Sequence, residues 1–111
     1  MPLVKVGPLA EFPPGKSREV LVGVDTYVVC RHAGELHALE GLCPHRNGPL
    51  GAGNFADGRL ICPYHGWEFD CVTGEYDRNP LVRLRKFPVK VTGGLIYIDV
   101  PVWEEEPRDF A

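Results

Sequence analysis

The chain has no apolar run approaching the roughly 20 residues that a bilayer-spanning helix needs. Its first twenty residues, MPLVKVGPLAEFPPGKSREV, hold neither an uninterrupted apolar core nor a small-residue cleavage site. The sequence therefore predicts no membrane partner and no signal peptide, and the expected location is the cytoplasm. An excess of positive charge is missing too. Twelve Lys and Arg stand against fifteen Asp and Glu, for a net charge of −3 and a pI near 5.8, which argues against a nucleic-acid partner. No window shows a sustained helical period, because proline interrupts the longer candidates. There is no internal repeat beyond two short Cys-Pro pieces. At 111 residues the chain is long enough for one small domain with a modest core.

What is present in abundance is glycine and proline, 13 and 11 residues, which cut the sequence into short pieces. Those at 19–22, 26–31, 36–39, 59–61, 89–91 and 95–100 are rich in β-branched residues and have strand length. Gly23-Val24-Asp25, Ala33-Gly34, Val72-Thr73-Gly74 and Gly93-Gly94 read as the turns between strands. The fold class predicted is all-β, an antiparallel sandwich or small barrel. Residues 41–80 depart from this pattern, with brief strand signals among Gly, Pro, Asn and Asp. A loop region of that length in a small domain is usually functional, or held by something other than a core. The expected organisation is a single domain. Its base comes from 1–40 and 81–100, a loop-rich insertion from about 41–80, and an acidic tail from 101–111, in which Trp103 is expected to pack against the sandwich.

The insertion contains CPHRNGPLGAGNFADGRLICPYHGW, beginning at Cys43. The whole chain has four Cys and four His, and two of each fall here. In a reducing compartment, metal binding is a better use for them than disulfides. Cys43 and His45 are separated by one residue, and Cys62 and His65 by two. Each spacing lets one tight turn present a thiolate and an imidazole to the same point. Pro44 and Pro63 stiffen the turns, while Gly48 and Gly66 permit close approach or unusual dihedrals. The intervening sixteen residues, 46 to 61, include Gly51, Gly53 and Gly58 and are long enough to fold the second turn back opposite the first. Three centres fit such a donor set. A tetrahedral Cys₂His₂ zinc site would stabilise a loop-rich region, although such sites usually pair Cys with Cys and His with His. A mononuclear iron site would want two His and a carboxylate. A two-iron, two-sulfide cluster held by two Cys on one iron and two His on the other is the ligand set of a Rieske centre.

The run Cys43-Pro44-His45, sixteen residues, then Cys62-Pro63-Tyr64-His65-Gly66-Trp67, followed by Phe69-Asp70 and Thr73-Gly74, resembles the Rieske-type ferredoxins. These include the ferredoxin components of bacterial aromatic-ring-hydroxylating dioxygenase systems. The resemblance covers Cys43 to Gly74 closely and the flanking strands only in general pattern. It implies an all-β Rieske-type base with an inserted cluster-binding subdomain, and one [2Fe–2S] cluster held by Cys43, His45, Cys62 and His65. It also implies a proline-containing loop over the cluster, for which Asn79-Pro80-Leu81 is in place. The implied role is that of a one-electron carrier without substrate chemistry of its own. Electrons would come from a flavin-dependent ferredoxin reductase and go to a Rieske-type terminal oxygenase. A catalytic oxygenase subunit would need a further domain for its mononuclear iron. The alternatives are the small subunit of an assimilatory nitrite reductase-like system and, from another class, a zinc-stabilised interaction module.

Replacing two thiolates by neutral imidazoles makes adding an electron easier. Rieske potentials begin at about −150 mV, against about −400 mV for plant-type clusters, roughly 6 kcal/mol for one electron. High-potential Rieske proteins of the respiratory quinol-oxidising complexes add a disulfide beside the cluster and Ser and Tyr hydroxyls aimed at its sulfurs. The matching positions here are Gly48 and Tyr64, and Trp67 and Phe69, so the resemblance implies a low-potential centre. His45 and His65, on loop tips, are expected at an exposed docking edge with Arg46, Asn47, Pro49 and the segment near Pro80. Outside the motif, Cys30 and Cys71 are expected to be buried as small apolar side chains, with a Cys30–Cys71 disulfide as the sharper option. His32 and His37 are expected on the surface of a hairpin. Arg83, Arg85 and Lys86 are expected on a solvated strand face, and Glu104, Glu105 and Glu106 in solvent.

Overall fold

A computed structural model describes residues 3–44, 46–64 and 66–100. The expectations for His45, His65 and the tail with Trp103 lie outside these residues. Among the described residues there are twelve strands, in chain order β1 (Leu3–Pro8), β2 (Ser17–Val22), β3 (Asp25–His32), β4 (Glu35–Glu40), β5 (Asn54–Ala56), β6 (Arg59–Ile61), β7 (Glu68–Asp70), β8 (Glu75–Tyr76), β9 (Asn79–Arg83), β10 (Lys86–Phe87), β11 (Val89–Thr92) and β12 (Leu95–Asp99). Short 3-10 turns at Leu9–Glu11 and Leu50–Ala52 complete the described elements. Among the described residues no helix is long and apolar enough to cross a membrane.

The strands make three antiparallel sheets: β1-β12-β11, β10-β4-β3-β2 and β5-β6-β7-β8-β9. The hairpin turns follow their sequence chemistry. Ala33-Gly34 and Gly93-Gly94 have positive φ at both central residues, as the type I′ turn between tightly paired strands requires. Asp57-Gly58 does the same between β5 and β6, with φ of 51° and 77°. The turn at Val72-Thr73-Gly74 is tied to Asp70. The Asp70 carboxylate accepts from the Val72 N–H at 2.7 Å, and its carbonyl accepts from the Gly74 N–H at 2.6 Å.

The apolar run Tyr27-Val28-Val29-Cys30 explains the layering. All four residues are buried, and successive side chains on a strand face opposite ways. Tyr27 and Val29 join Phe12, Ala38, Phe87, Ile96, Ile98 and Val100 in one core. Val28 and Cys30 join a second, with Leu39, Cys43, Leu50, Leu60, Cys62, Phe69, Cys71 and Leu84. The four-stranded sheet is therefore covered on one side by the sheet of β1, β12 and β11 and on the other by the five-stranded unit. This is why β3 is apolar without alternation.

Candidate metal centre

The two Cys-His loops are built on the same backbone plan. In the first, between β4 and the turn at Leu50, the Cys43 N–H donates to the Gly48 carbonyl at 2.8 Å, and the Asn47 N–H returns to the Cys43 carbonyl at 2.6 Å. In the second, between β6 and β7, the Cys62 N–H donates to the Trp67 carbonyl at 2.8 Å, and the Gly66 N–H returns to the Cys62 carbonyl at 3.1 Å. Each loop thus closes from its Cys to the fifth residue on, and from the fourth residue back. The fourth residue is left-handed in both, Asn47 at φ 56° and Gly66 at φ 76°. Asn tolerates that region and Gly occupies it freely. In the sequence, His45 is the second residue after its Cys and His65 the third.

The first loop is anchored at its base by a bridge between Leu42 and Pro49 and by the Leu50 N–H donating to the Gly41 carbonyl at 2.9 Å. Gly53 lets the connection pass. A Cβ there would lie 2.0 Å from the Ile61 carbonyl oxygen, which no side chain could tolerate. Both thiols are withdrawn from solvent, with Cys43 0% and Cys62 2% exposed, in a core with Leu50, Leu60 and Phe69. Gly48 is needed for close approach rather than for its dihedral. A Cβ on it would lie 2.6 Å from the Cys62 sulfur and 3.2 Å from the Tyr64 ring. The two positions at which the high-potential relatives carry a disulfide are accordingly side by side.

Behind the second loop the Trp67 ring stacks on Tyr76, centroids 4.0 Å apart and planes 6° from parallel, with Phe69 tilted against both. This slab joins the loop to β7 and β8. Sequence reasoning missed Tyr76, although an aromatic in a short strand after a Thr-Gly turn was the available signal. The left-handed Asn47 was missed as well, and there the signal was an Asn next to Gly. At the rim, Arg59 is shared by Glu68 at 3.5 Å and Asp77 at 3.4 Å. Arg46, Asn47 and Pro80 are exposed and Leu81 is 90% exposed; Asn79-Pro80-Leu81 starts β9 rather than a free loop.

One expectation outside the loops is corrected. His37 is not a surface hairpin residue. It stands opposite Cys30 in the β3–β4 ladder, is only 8% exposed, and its Nδ1 lies 3.3 Å from the Lys86 ammonium. Burial first, and then Lys86, hold its pKa below the ordinary histidine value. Its Nε2 is 3.8 Å from a Glu35 carboxylate oxygen, too far for a hydrogen bond, and is buried without another partner. Arg83, Arg85 and Lys86 are all exposed, as expected, and each also has a partner. Arg83 pairs with Glu75 at 2.7 Å, Arg85 lies over the Phe87 ring at 5.2 Å, and Lys86 reaches His37 and the Val72 carbonyl.

Two buried thiols offered by matched loops, with an imidazole two or three residues beyond each, fit a cluster of two irons with unlike ligand pairs. Residues 3–88 match the family model of the Rieske [2Fe-2S] domain. The chain belongs to the Rieske family. One Rieske [2Fe–2S] cluster is its cofactor, so the zinc alternative falls away. The Rieske chain is 38% identical over 78 residues to the ferredoxin component of the alkene monooxygenase system of Xanthobacter autotrophicus, covering 69% of this chain and 64% of that one. It is 45% identical over 76 residues to the 4beta-methylsterol monooxygenase of Methylococcus capsulatus, covering 60% of this chain and 21% of that one. It thus spans less than two thirds of either relative's length. A chain from the solved complex of reduced oxygenase and oxidized ferredoxin in carbazole 1,9a-dioxygenase is similar at 32% identity and a TM-score of 0.78, covering 86% of this chain and 91% of that one. In sequence and fold the chain is similar to the ferredoxins of oxygenase systems.

Proposed function

We propose that this Rieske protein carries single electrons from a flavin-dependent ferredoxin reductase to a Rieske-type terminal oxygenase in the cytoplasm, with Cys43, His45, Cys62 and His65 as the cluster ligands. When bound, the cluster supplies reversible one-electron chemistry without making or breaking a substrate bond. The chain's own residues hold and shield it. Cys43 and Cys62 are presented from loops each closed by two backbone hydrogen bonds, one to and one from its Cys, and would hold one iron of the cluster. Leu50, Leu60 and Phe69 keep water from the sulfur side. The observation that carries the reading is the matched closure of the two loops around two buried thiols.

The docking face in this proposal combines Arg46, Asn47 and Pro49 with the exposed apolar groups Leu42, Tyr64 and Leu81. An apolar patch with a cation at its rim suits a transient complex, in which the charge sets the encounter rate and the apolar contact holds it briefly. The test is reconstitution of the red-brown protein, with two irons and two acid-labile sulfides per chain, between purified reductases and terminal oxygenases. Reduction by a flavin reductase and delivery to an oxygenase are expected, slowed and less salt-sensitive in Arg46→Glu. A loaded protein that accepts electrons from no such reductase sinks the proposal and favours the nitrite reductase-type system. His45→Ala and His65→Ala should each abolish the Rieske spectrum; a full spectrum in either removes that residue from the ligand set.

A further inference from the structure

The sheet of β1, β12 and β11 turns one face to the base core and the other to solvent. Ile96, Ile98 and Val100 point inward with Val4, Val6 and Val89. Tyr97 and Asp99 alternate with them and point outward. Lys5 and Lys90 are the cross-strand partners of Tyr97, one on either side, and Leu3 stands opposite Asp99. Leu3, Tyr97, Lys90 and Thr92 line a hollow of about 180 Å³ on this face. Leu3 is 46% exposed. Both lysines are exposed, and neither has a carboxylate partner among the described residues. One oxygen of Asp99, Oδ1, is buried without a hydrogen-bond donor among those residues, a need that folded chains normally meet.

Past Val100 the chain continues as PVWEEEPRDFA, residues 101–111. We propose that this segment folds back over the outer face, seating Trp103 in the hollow by Leu3 and Tyr97 and bringing Glu104, Glu105 and Glu106 against Lys5 and Lys90. Each feature of the face has its counterpart in the segment. Pro101 is placed at the second position of a turn from Val100 to Trp103, where its fixed φ favours reversal of the chain. Pro101 has no N–H to give, so that of Val102, three residues on from Asp99, is the first beyond Val100 and fills Oδ1. The same chain does this elsewhere: the Thr73 N–H, three residues on from Asp70, bonds the Asp70 carboxylate. The acidic run then follows the indole directly. Segment 101–111 carries four carboxylate side chains and one Arg, and the face carries two unpaired ammonium groups. Tyr97 lies two residues back from Asp99, about 7 Å along the strand, a span that two or three extended residues cover.

A second hollow near the end of β12 suits the segment less well. It is lined by Tyr27, Phe87 and Leu42, but also by Asp25 and Glu40 against Arg85 alone, so an acidic run meets more repulsion than attraction there. On the outer face the two lysines have only Asp99 beside them. Covering Leu3 and Tyr97 with an indole removes apolar surface from water. Ion pairs to exposed lysines add little to that strength and serve to set the register of the segment. The four-stranded sheet separates this face from the unit that holds the Cys-His loops, so the inference stands apart from the electron-carrier reading.

The test uses the whole cluster-loaded chain, mixed in equal parts unlabelled and isotope-labelled, and a water-soluble carbodiimide at low ionic strength. The reagent joins a carboxylate to an amine only where the two already touch, and the linked peptides are mapped by mass. The expected products are amides within one chain from Lys5 or Lys90 to Glu104, Glu105 or Glu106, several-fold more abundant than those from Lys16. High salt should cut them several-fold by screening, and Trp103→Ala should cut them as much. Links spread evenly over Lys5, Lys16 and Lys90, or no links to the segment at all, would overturn the proposal. Links joining a labelled to an unlabelled chain would also sink it, and assign the face to a second copy. Undiminished links in Trp103→Ala would remove Trp103 from the hollow. The first readings come from the native sequence and need no variant to fold.

Discussion

A Cβ on Gly48 would stand 2.6 Å from the sulfur of Cys62. The two loops meet so closely that one lacks a side chain where the other places its thiol. Gly48→Ala must displace either the Cys62 sulfur or the Tyr64 ring, which lies 3.2 Å from the same point. We expect a folded protein with much less than full iron and sulfide per chain, because Gly48 is not left-handed and the strain falls on the thiol rather than on the backbone. Full occupancy by metal analysis would show that the loops can separate at no cost.

Phe69 is fully buried beside Cys43 and Cys62 and brings no hydrogen-bond donor to them. Together with Gly48, Tyr64 and Trp67 this leads us to expect a midpoint near the lower end of the Rieske range, about −150 mV. Redox titration should find it below zero. Phe69→Tyr should raise it by about 20–60 mV, the value of one hydrogen bond of about 0.5–1.5 kcal/mol to the reduced form. An unchanged midpoint would show that the hydroxyl does not reach the cluster.

The Trp67–Tyr76 stack fastens the second loop to β8. Stacked aromatic pairs contribute about 0.5–1.5 kcal/mol beyond the area they bury. Tyr76→Ala should lower the urea midpoint and speed cluster loss, and Tyr76→Phe, which keeps the ring, should do neither. Equal behaviour of the two variants would mean that the hydroxyl, not the stack, is what matters.

His37 predicts a pH dependence. Burial, then Lys86, and more weakly His32 hold its pKa below 6.5, while Glu35 and Asp70 pull the other way. Below about pH 6.5 the unfolded chain takes up a proton that the folded chain refuses. The contribution is therefore complete above pH 6.5 and is lost as pH falls beneath it. Urea midpoints should drop between pH 7 and 5 more steeply in the native protein than in His37→Gln, which keeps an acceptor for Lys86. Parallel curves would assign the acid sensitivity elsewhere.

The strand pattern and the donor set were legible in the sequence because each is a local signal. Residues 26–31 and 95–100 announced β3 and β12 by their β-branched content, and Ala33-Gly34 and Gly93-Gly94 announced their turns. The strands of the five-stranded unit were mostly not legible. β5, β7 and β8 have two or three residues each, too few to show a period, and they are held by cross-strand partners that no local window contains. There the turn at Val72-Thr73-Gly74 was read, whereas the hairpin signal of Asp57-Gly58 was passed over. His37 failed for a related reason. A polar residue beside a turn reads as exposed, and only the arrival of Lys86 from 49 positions away makes a buried site for it.

The burial of β3 on both faces has a further consequence. Val28 and Val29 are adjacent in the chain, yet they belong to different cores, so one strand is a common wall between the base and the half with the two Cys-His loops. Neither half can melt without exposing the other's apolar lining. Heating should give a single cooperative transition, and a truncation such as Val29→Ala, on the side away from the loops, should loosen the hold on iron as well.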